Sequence, residues 1–256
     1  MRFPIVTVAL IVINVIVYLL EIRHGGSFFG GPSSGVEVHY GAIPYELTHA
    51  GKHCDLVTVP TPAGLRESIA CQGQPDLIGT PPTPPGAQPA TWETVFTAMF
   101  LHGSFLHIFG NMLFLGIFGP TVEDAMSRWS YLGFYLLGGL VALAAQVAVD
   151  PNSTGPTLGA SGAIAAVLGG YILLYPRARV LTLVFIVFFV TIIEVPAIFL
   201  LGFWFAEQVF LGLEGLTNAV GGEGVAYFAH IGGFAFGLLT IRLLATRRTQ
   251  PPPPVY

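Results

Sequence analysis

Gly159-Ala160-Ser161-Gly162 opens one apolar run, and Ala229-His230-Ile231-Gly232-Gly233 opens another further along the chain. Each places a chemically able side chain about one helical turn inside an otherwise lipid-compatible stretch. A hydroxyl and an imidazole in hydrocarbon are costly to keep unless they serve a purpose. Singly, an intramembrane serine is usually a packing or backbone-bonding residue. A serine and a histidine at matching depth, on helices that run the same way, instead suggest a nucleophile and its base.

Composition agrees that lipid is the solvent. Only 9% of residues are charged, 53% are hydrophobic and Gly fills 32 of 256 positions, whereas a soluble domain carries about 25% charged residues. The net charge of −4 and the lack of a cationic cluster beyond Arg247-Arg248 exclude a nucleic-acid partner. A spanning helix needs about 20 apolar residues. Six segments approach this: Phe3–Glu21, Met99–Phe118, Tyr131–Val149, Leu158–Tyr175, Leu181–Phe205 and Ala226–Ala245. The first reads as a retained anchor, since no small-x-small cleavage site closely follows Leu20. The expected fold is an all-α, six-span membrane bundle, a single domain over residues 1–256.

Even span number puts both termini on one side. With them in the cytoplasm, Arg2, Arg128, Arg177, Arg179, Arg242, Arg247 and Arg248 lie inside, and Arg23, Lys52 and Arg66 outside, as the positive-inside rule prefers. The second, fourth and sixth spans then all descend from the outer face. They bring His102 and His107, Ser161, and His230 to one shallow layer, opening outward at the plasma membrane.

His107 and Asn111 are four apart and share a helix face. Both can donate hydrogen bonds to the oxygen that becomes negative in acyl transfer. The Ser161 N–H, at a helix start, is a third donor without an internal partner. Alternatively, Asn111 simply joins its span to a neighbour, and His102 looks peripheral, fixing a loop. Gly159, Gly162, Gly169 and Gly170 are expected to face Gly233 and Gly237 as a small-residue packing seam. No acid completes a triad: Glu194 falls mid-span in the fifth segment and Asp150 in an outer loop, so a Ser–His dyad is the expectation.

Residues 23–91 form a Gly/Pro-rich loop insertion between the first two spans, long enough to be either functional or disordered. The prolines of Thr80–Pro89 suggest a stiff linker, and 249–256 a disordered cytoplasmic tail. Both cysteines, Cys54 and Cys71, lie in this outward-facing loop, where a disulfide persists; two free thiols are the alternative. Because the segment lies apart from the three helices that carry the polar layer, Cys54→Ser with Cys71→Ser is expected to spare most core activity, while changing which substrates are admitted.

Together, His102-Gly-Ser-Phe-Leu-His107-Ile-Phe-Gly-Asn111, Gly159-Ala-Ser-Gly162 and Ala229-His230-Ile-Gly-Gly233, in this order on these spans, resemble the rhomboid family of intramembrane serine proteases in its basic six-span form. The resemblance covers Trp92 to Ala245. It implies Ser161 as nucleophile, His230 as base, and His107 with Asn111 as oxyanion donors. It also implies that Gly159 keeps the turn before the nucleophile open, and that no cofactor or metal is needed. The chain departs from the family at Glu93, where arginine often follows the tryptophan, and at Ala165, where an aromatic often stacks on the histidine. A third departure is Ser127, after a Gly119–Glu123 stretch resembling the family's turn beyond its second span.

Other classes fit less well. A zinc protease would want His-Glu-x-x-His, and an aspartyl protease two intramembrane aspartates; neither pattern occurs. A transporter would place its site nearer the midplane. A catalytically weak rhomboid-like chaperone is the nearest rival, against which Ser161 and His230 argue. The expected partners are lipid and transmembrane protein substrates. The oligomeric state is not encoded in any motif.

Overall fold

The computed structural model describes residues 2–61, 64–74, 88–186, 189–217 and 225–246. The Pro81–Pro85 cluster, Arg247-Arg248 and the 249–256 tail lie outside them. In chain order, α1 (Ile5–Arg23) leads into β1 (Gly26–Ser27), β2 (Gly31–Pro32), α2 (Ser34–Tyr40), α3 (Pro44–Thr48), β3 (Cys54–Thr61) and β4 (Gly64–Cys71). Then come α4 (Thr91–Thr97), a 3-10 turn at Ala98–Phe100, α5 (Phe105–Asp124), α6 (Arg128–Val149), α7 (Ser161–Leu174), β5 (Arg179–Ile186), β6 (Phe189–Pro196), α8 (Ala197–Thr217) and α9 (Tyr227–Leu244). Among the described residues the strands form three antiparallel pairs, β1–β2, β3–β4 and β5–β6.

Among the described residues, five helices are long and apolar enough to cross a membrane: α1, α5, α6, α8 and α9. The sixth, α7, has 14 residues and so rises only about 21 Å. It can be short because its neighbours shield it from lipid: Gly162 through Tyr171 are all buried. A short central helix leaves room above its first residue, and that residue is Ser161.

Small residues determine how near the helices come. A methyl group built on Gly233 would strike the Gly162 carbonyl, on Gly237 the Ala166 carbonyl, and on Gly169 the Phe234 carbonyl. The backbones of α7 and α9 therefore touch, as small-residue interfaces in membranes allow. Gly170 abuts Ile241 in the same seam. Gly159, expected there too, lies outside it and faces His107 instead. It precedes α7 rather than belonging to it.

Polar groups fasten the other ends. Glu123 accepts hydrogen bonds from the N–H groups of Val6 at 3.1 Å and Thr7 at 2.8 Å, and from Thr7 Oγ1 at 2.8 Å. These satisfy early α1 donors that have no partner within the helix. The adjacent Asp124 binds Arg2 Nε at 3.3 Å. Gly119–Glu123 is thus no turn: α5 continues through Pro120 to Asp124.

The fifth span differs from its expected range. Leu181–Phe205 is not one helix: β5 occupies Arg179–Ile186, β6 occupies Phe189–Pro196, and α8 starts at Ala197. Val180–Ile193 is rich in Val, Ile, Phe and Thr. Continuous apolarity there suits lipid, while the β-branched and aromatic content suits strands, and periodicity cannot separate the two. Glu194 is consequently on β6, not in mid-span, and pairs with Arg179 at 2.8 Å.

Within the described part of the 23–91 insertion, a small core forms from Val38, Ile43, Tyr45, Cys54 and Cys71. Cys54 and Cys71 are disulfide-bonded and face each other across the β3–β4 hairpin. Glu46 accepts the Cys54 N–H at 2.6 Å. Burial raises the Glu46 carboxyl above its usual range, opposed by that N–H. The insertion is not apart from the helical bundle. Ala42 and Thr157 exchange backbone hydrogen bonds of 3.1 and 2.8 Å, Tyr45 N–H reaches Ser153 O at 3.0 Å, and Thr48 Oγ1 reaches Pro151 O at 2.6 Å. These bonds hold the strap that leads into Ser161.

Those bonds set the opposite expectation for loss of the disulfide. Closing a loop of this separation, 17 residues, contributes about 3 kcal/mol in the chain-entropy account. Cys54→Ser with Cys71→Ser should therefore loosen the insertion and lower turnover several-fold. Limited proteolysis should cut the β3–β4 region faster in the double variant. Unchanged turnover and cleavage pattern would show that the strap stands without its staple.

Candidate active site

Ser161 is the first residue of α7, not a turn inside it. The chain reaches it through Gly159, at φ +116°, a conformation that side-chain-bearing residues rarely adopt. The Gly159 N–H is held by Ala98 O at 2.8 Å. As an initial helical residue, Ser161 has a backbone N–H with no partner inside α7.

His230 is in the first turn of α9. Because the glycine seam draws α9 onto α7, His230 Nε2 lies 2.8 Å from Ser161 Oγ. The pair lines a cavity of about 350 Å³ together with His107, Asn111 and Trp204. All four proposed polar side chains thus border one space.

His107 and Asn111 share the inner face of α5. Ser104 caps this helix, accepting the His107 N–H at 3.2 Å. A methyl group on Gly159 would sit 2.7 Å from His107 Nε2 and 3.6 Å from Ser161 Oγ. The imidazole and the hydroxyl therefore converge over a residue that must lack a side chain. Asn111 Nδ2 is buried without a hydrogen-bond partner. An unpaired buried donor is costly, and here it borders the cavity beside Ser161.

His102 does not line the cavity and bonds within its own loop, yet its ring packs on His107. It is fully buried, and its ring meets His107 edge-on, with centroids 5.1 Å apart. Its Nδ1 bonds Phe100 O at 3.1 Å, and its backbone N–H approaches the Glu21 carboxylate at 3.4 Å. It therefore backs the His107 ring. Asp150 closes α6 and lines a separate hollow with Gln146 and Tyr227, away from the imidazole.

Two residues of the site were not foreseen from sequence. Gln208 Oε1, on α8, lies 2.7 Å from His230 Nδ1. Trp204, one turn earlier on the same face, tilts 38° over the ring at 5.8 Å. Placing the fifth span at Leu181–Phe205 put Gln208 beyond its end. With the helix correctly bounded, an amide within its apolar sequence is the available signal. Trp204 stands by the imidazole where residue 165, fully buried on α7, is only alanine. The aromatic support comes from a neighbouring helix instead.

Comparison with known proteins matches this architecture. The family model described as Rhomboid domain matches residues 89–247. Rhomboid protein 1, mitochondrial, of Saccharomyces cerevisiae is 30% identical over 150 residues, 57% of this chain and 40% of that protein. RHOMBOID-like protein 12, mitochondrial, of Arabidopsis thaliana is 32% identical over 159 residues, 56% of this chain and 44% of its own length. Presenilin-associated rhomboid-like protein A, mitochondrial, of Danio rerio is 30% identical over 142 residues, 54% and 34% of the two chains. The matches span less than half of each of these relatives. The family model covers more than half of this multi-pass membrane protein, and the chain belongs to the rhomboid family.

Proposed function

We infer that this rhomboid protein is a serine endopeptidase that cleaves peptide bonds in or beside transmembrane segments. The observation that carries this reading is the 2.8 Å contact between Ser161 Oγ and His230 Nε2 at a cavity bordered by an unpartnered Asn111 amide. In the reaction, His230 Nε2 takes the Ser161 proton as Oγ bonds to the scissile carbonyl carbon. The carbonyl oxygen becomes negative and meets donors from Asn111, His107 and the Ser161 N–H. Collapse breaks the C–N bond, and the imidazolium gives its proton to the leaving amine. Water then repeats the sequence on the acyl-enzyme, releasing the acid and restoring the hydroxyl.

A helical substrate shields its carbonyls in i→i−4 bonds, so the segment must unwind locally to reach Ser161. In this reading both termini are cytoplasmic, and the start of α7 and the cavity open on the outer side of the plasma membrane, where water can enter. Purified protein should cleave a model transmembrane substrate in detergent and be labelled by a fluorophosphonate at Ser161. Absence of both cleavage and labelling in folded protein would refute the reading and favour a binding role.

The oxyanion assignment has its own test. Asn111→Ala and His107→Ala should each lower turnover by about 10²–10³, as loss of one such donor does, with little change in KM. Full turnover in both variants at saturating substrate would make these residues packing groups.

A further inference from the structure

We propose that Gln208 is a positioning residue of the catalytic centre: its side-chain carbonyl fixes the tautomer and orientation of the His230 imidazole. The proposal rests on the Ser161–His230 reading above and adds a third member to it, carried by a different helix. Gln208 is 6% exposed, and its Oε1 lies 2.7 Å from Nδ1. With Oε1 turned toward the ring the amide accepts, and the matching tautomer carries its proton on Nδ1. A neutral imidazole protonated there has a bare lone pair on Nε2, the atom 2.8 Å from Ser161 Oγ. The hydroxyl is then the donor in that contact, the arrangement a general base needs before attack.

After proton transfer both ring nitrogens carry hydrogen, and the Nδ1–H still has the amide oxygen as acceptor. A carboxylate would hold the imidazolium more strongly. In a low-dielectric layer, however, burying a carboxylate brings a large desolvation penalty, and a neutral amide avoids it. Trp204 limits ring tilt from one side, while the hydrogen bond sets rotation about the ring's own axis. A ring with the opposite tautomer would present Nε2–H to Ser161 and could not accept its proton.

The bond comes from α8, the least buried of the five long helices among the described residues. Residues facing lipid on α8, such as Phe199 and Phe203, do not depend on an amide for their placement. Gln208 is therefore explained better by the ring it touches than by helix packing alone. Facing His230 are Ser161 from α7, Trp204 and Gln208 from α8, and, across the cavity, His107 from α5. His107 is the other titratable side chain lining that cavity.

The test compares Gln208→Met, which keeps length but accepts no useful hydrogen bond, with Gln208→Glu, which restores an acceptor. Turnover, KM, melting temperature and the pH profile of kcat are measured in the same detergent. Gln208→Met should lower kcat by at least tenfold, toward the roughly 10²–10⁴ that a positioned base contributes, with KM near that of wild type. Gln208→Glu should recover much of kcat and move the acid limb of its profile to higher pH, because a carboxylate favours the imidazolium. The same limb measured in His107→Ala separates the two imidazoles.

Wild-type kcat and an unmoved acid limb in Gln208→Met would overturn the positioning role while leaving the serine and histidine assignments standing. So would equal inactivity of both variants with intact folding, which indicates packing only. If Gln208→Met fails to fold, the Gln208→Glu profile decides: a limb that stays at the wild-type pH removes the proposal. An inactive, unlabelled wild-type protein would instead refute the protease reading itself.

Discussion

Ser161→Ala is expected to eliminate cleavage of a transmembrane model substrate, and His230→Ala to do the same, with the double variant no worse than either. In serine hydrolases whose nucleophile and base act as a unit, loss of one costs about as much as loss of both, on the order of 10⁶ in kcat. The 2.8 Å contact between the two side chains makes that unit the expected one here. Removing one hydroxyl at the first position of α7 leaves the glycine seam untouched, so Ser161→Ala should melt near wild type. Fluorophosphonate labelling should be lost in both single variants, in one for want of the nucleophile and in the other for want of its activation. Persisting turnover in purified Ser161→Ala protein would end the serine-protease assignment. Equal labelling of wild type and His230→Ala would leave the nucleophile but remove its base.

The parts of this fold that were legible in sequence share a physical cause. In hydrocarbon every backbone group must bond within its own helix, so long uncharged runs such as Ile5–Leu20 or Tyr131–Val149 have few alternatives. Five of the six expected spans lie mostly within helices of the structure for that reason, whereas the fifth shares only Ala197–Phe205 with α8. The fifth failed where constraint relaxes: Val180–Ile193 is apolar enough for lipid, yet it pairs with itself as a hairpin between α7 and α8. The error then hid Gln208, because a residue assigned to a loop is not examined as a partner for an imidazole.

Site geometry was legible to the extent that it follows helix periodicity and small-residue packing. His107 and Asn111 share a face by spacing, and Gly162, Gly233 and Gly237 announce the contact that joins Ser161 to His230. Distant contacts with no motif at either end were not legible. Nothing in Ala42 or Thr157 announces that the insertion pairs with the strap before Ser161. Nothing in Trp204 announces that it covers the ring left bare by Ala165. Such pairings follow from how the helices stack, which no local pattern encodes.

Gly159→Ala tests the most sharply constrained position of the site. At φ +116° a side-chain-bearing residue costs about 1–3 kcal/mol in backbone strain. The added methyl would also lie 2.7 Å from His107 Nε2, nearer than carbon and nitrogen approach without a bond. Either the strap before Ser161 shifts or the imidazole swings off the cavity, and both move an oxyanion donor relative to the nucleophile. A loss of one such donor costs about 10²–10³ in rate, so turnover should fall by at least that factor while the helical bundle persists. Gly202→Ala is the matched control, because a methyl group there meets nothing within 4 Å, and it should retain wild-type turnover. If the strain were merely absorbed by the strap, fluorophosphonate labelling and turnover would fall together in Gly159→Ala. If His107 alone is displaced, KM should change little and pairing Gly159→Ala with His107→Ala should add little further loss. Independent, multiplying losses in that double variant would mean that Gly159 acts on Ser161 directly, and a fully active Gly159→Ala protein would remove the glycine from the site.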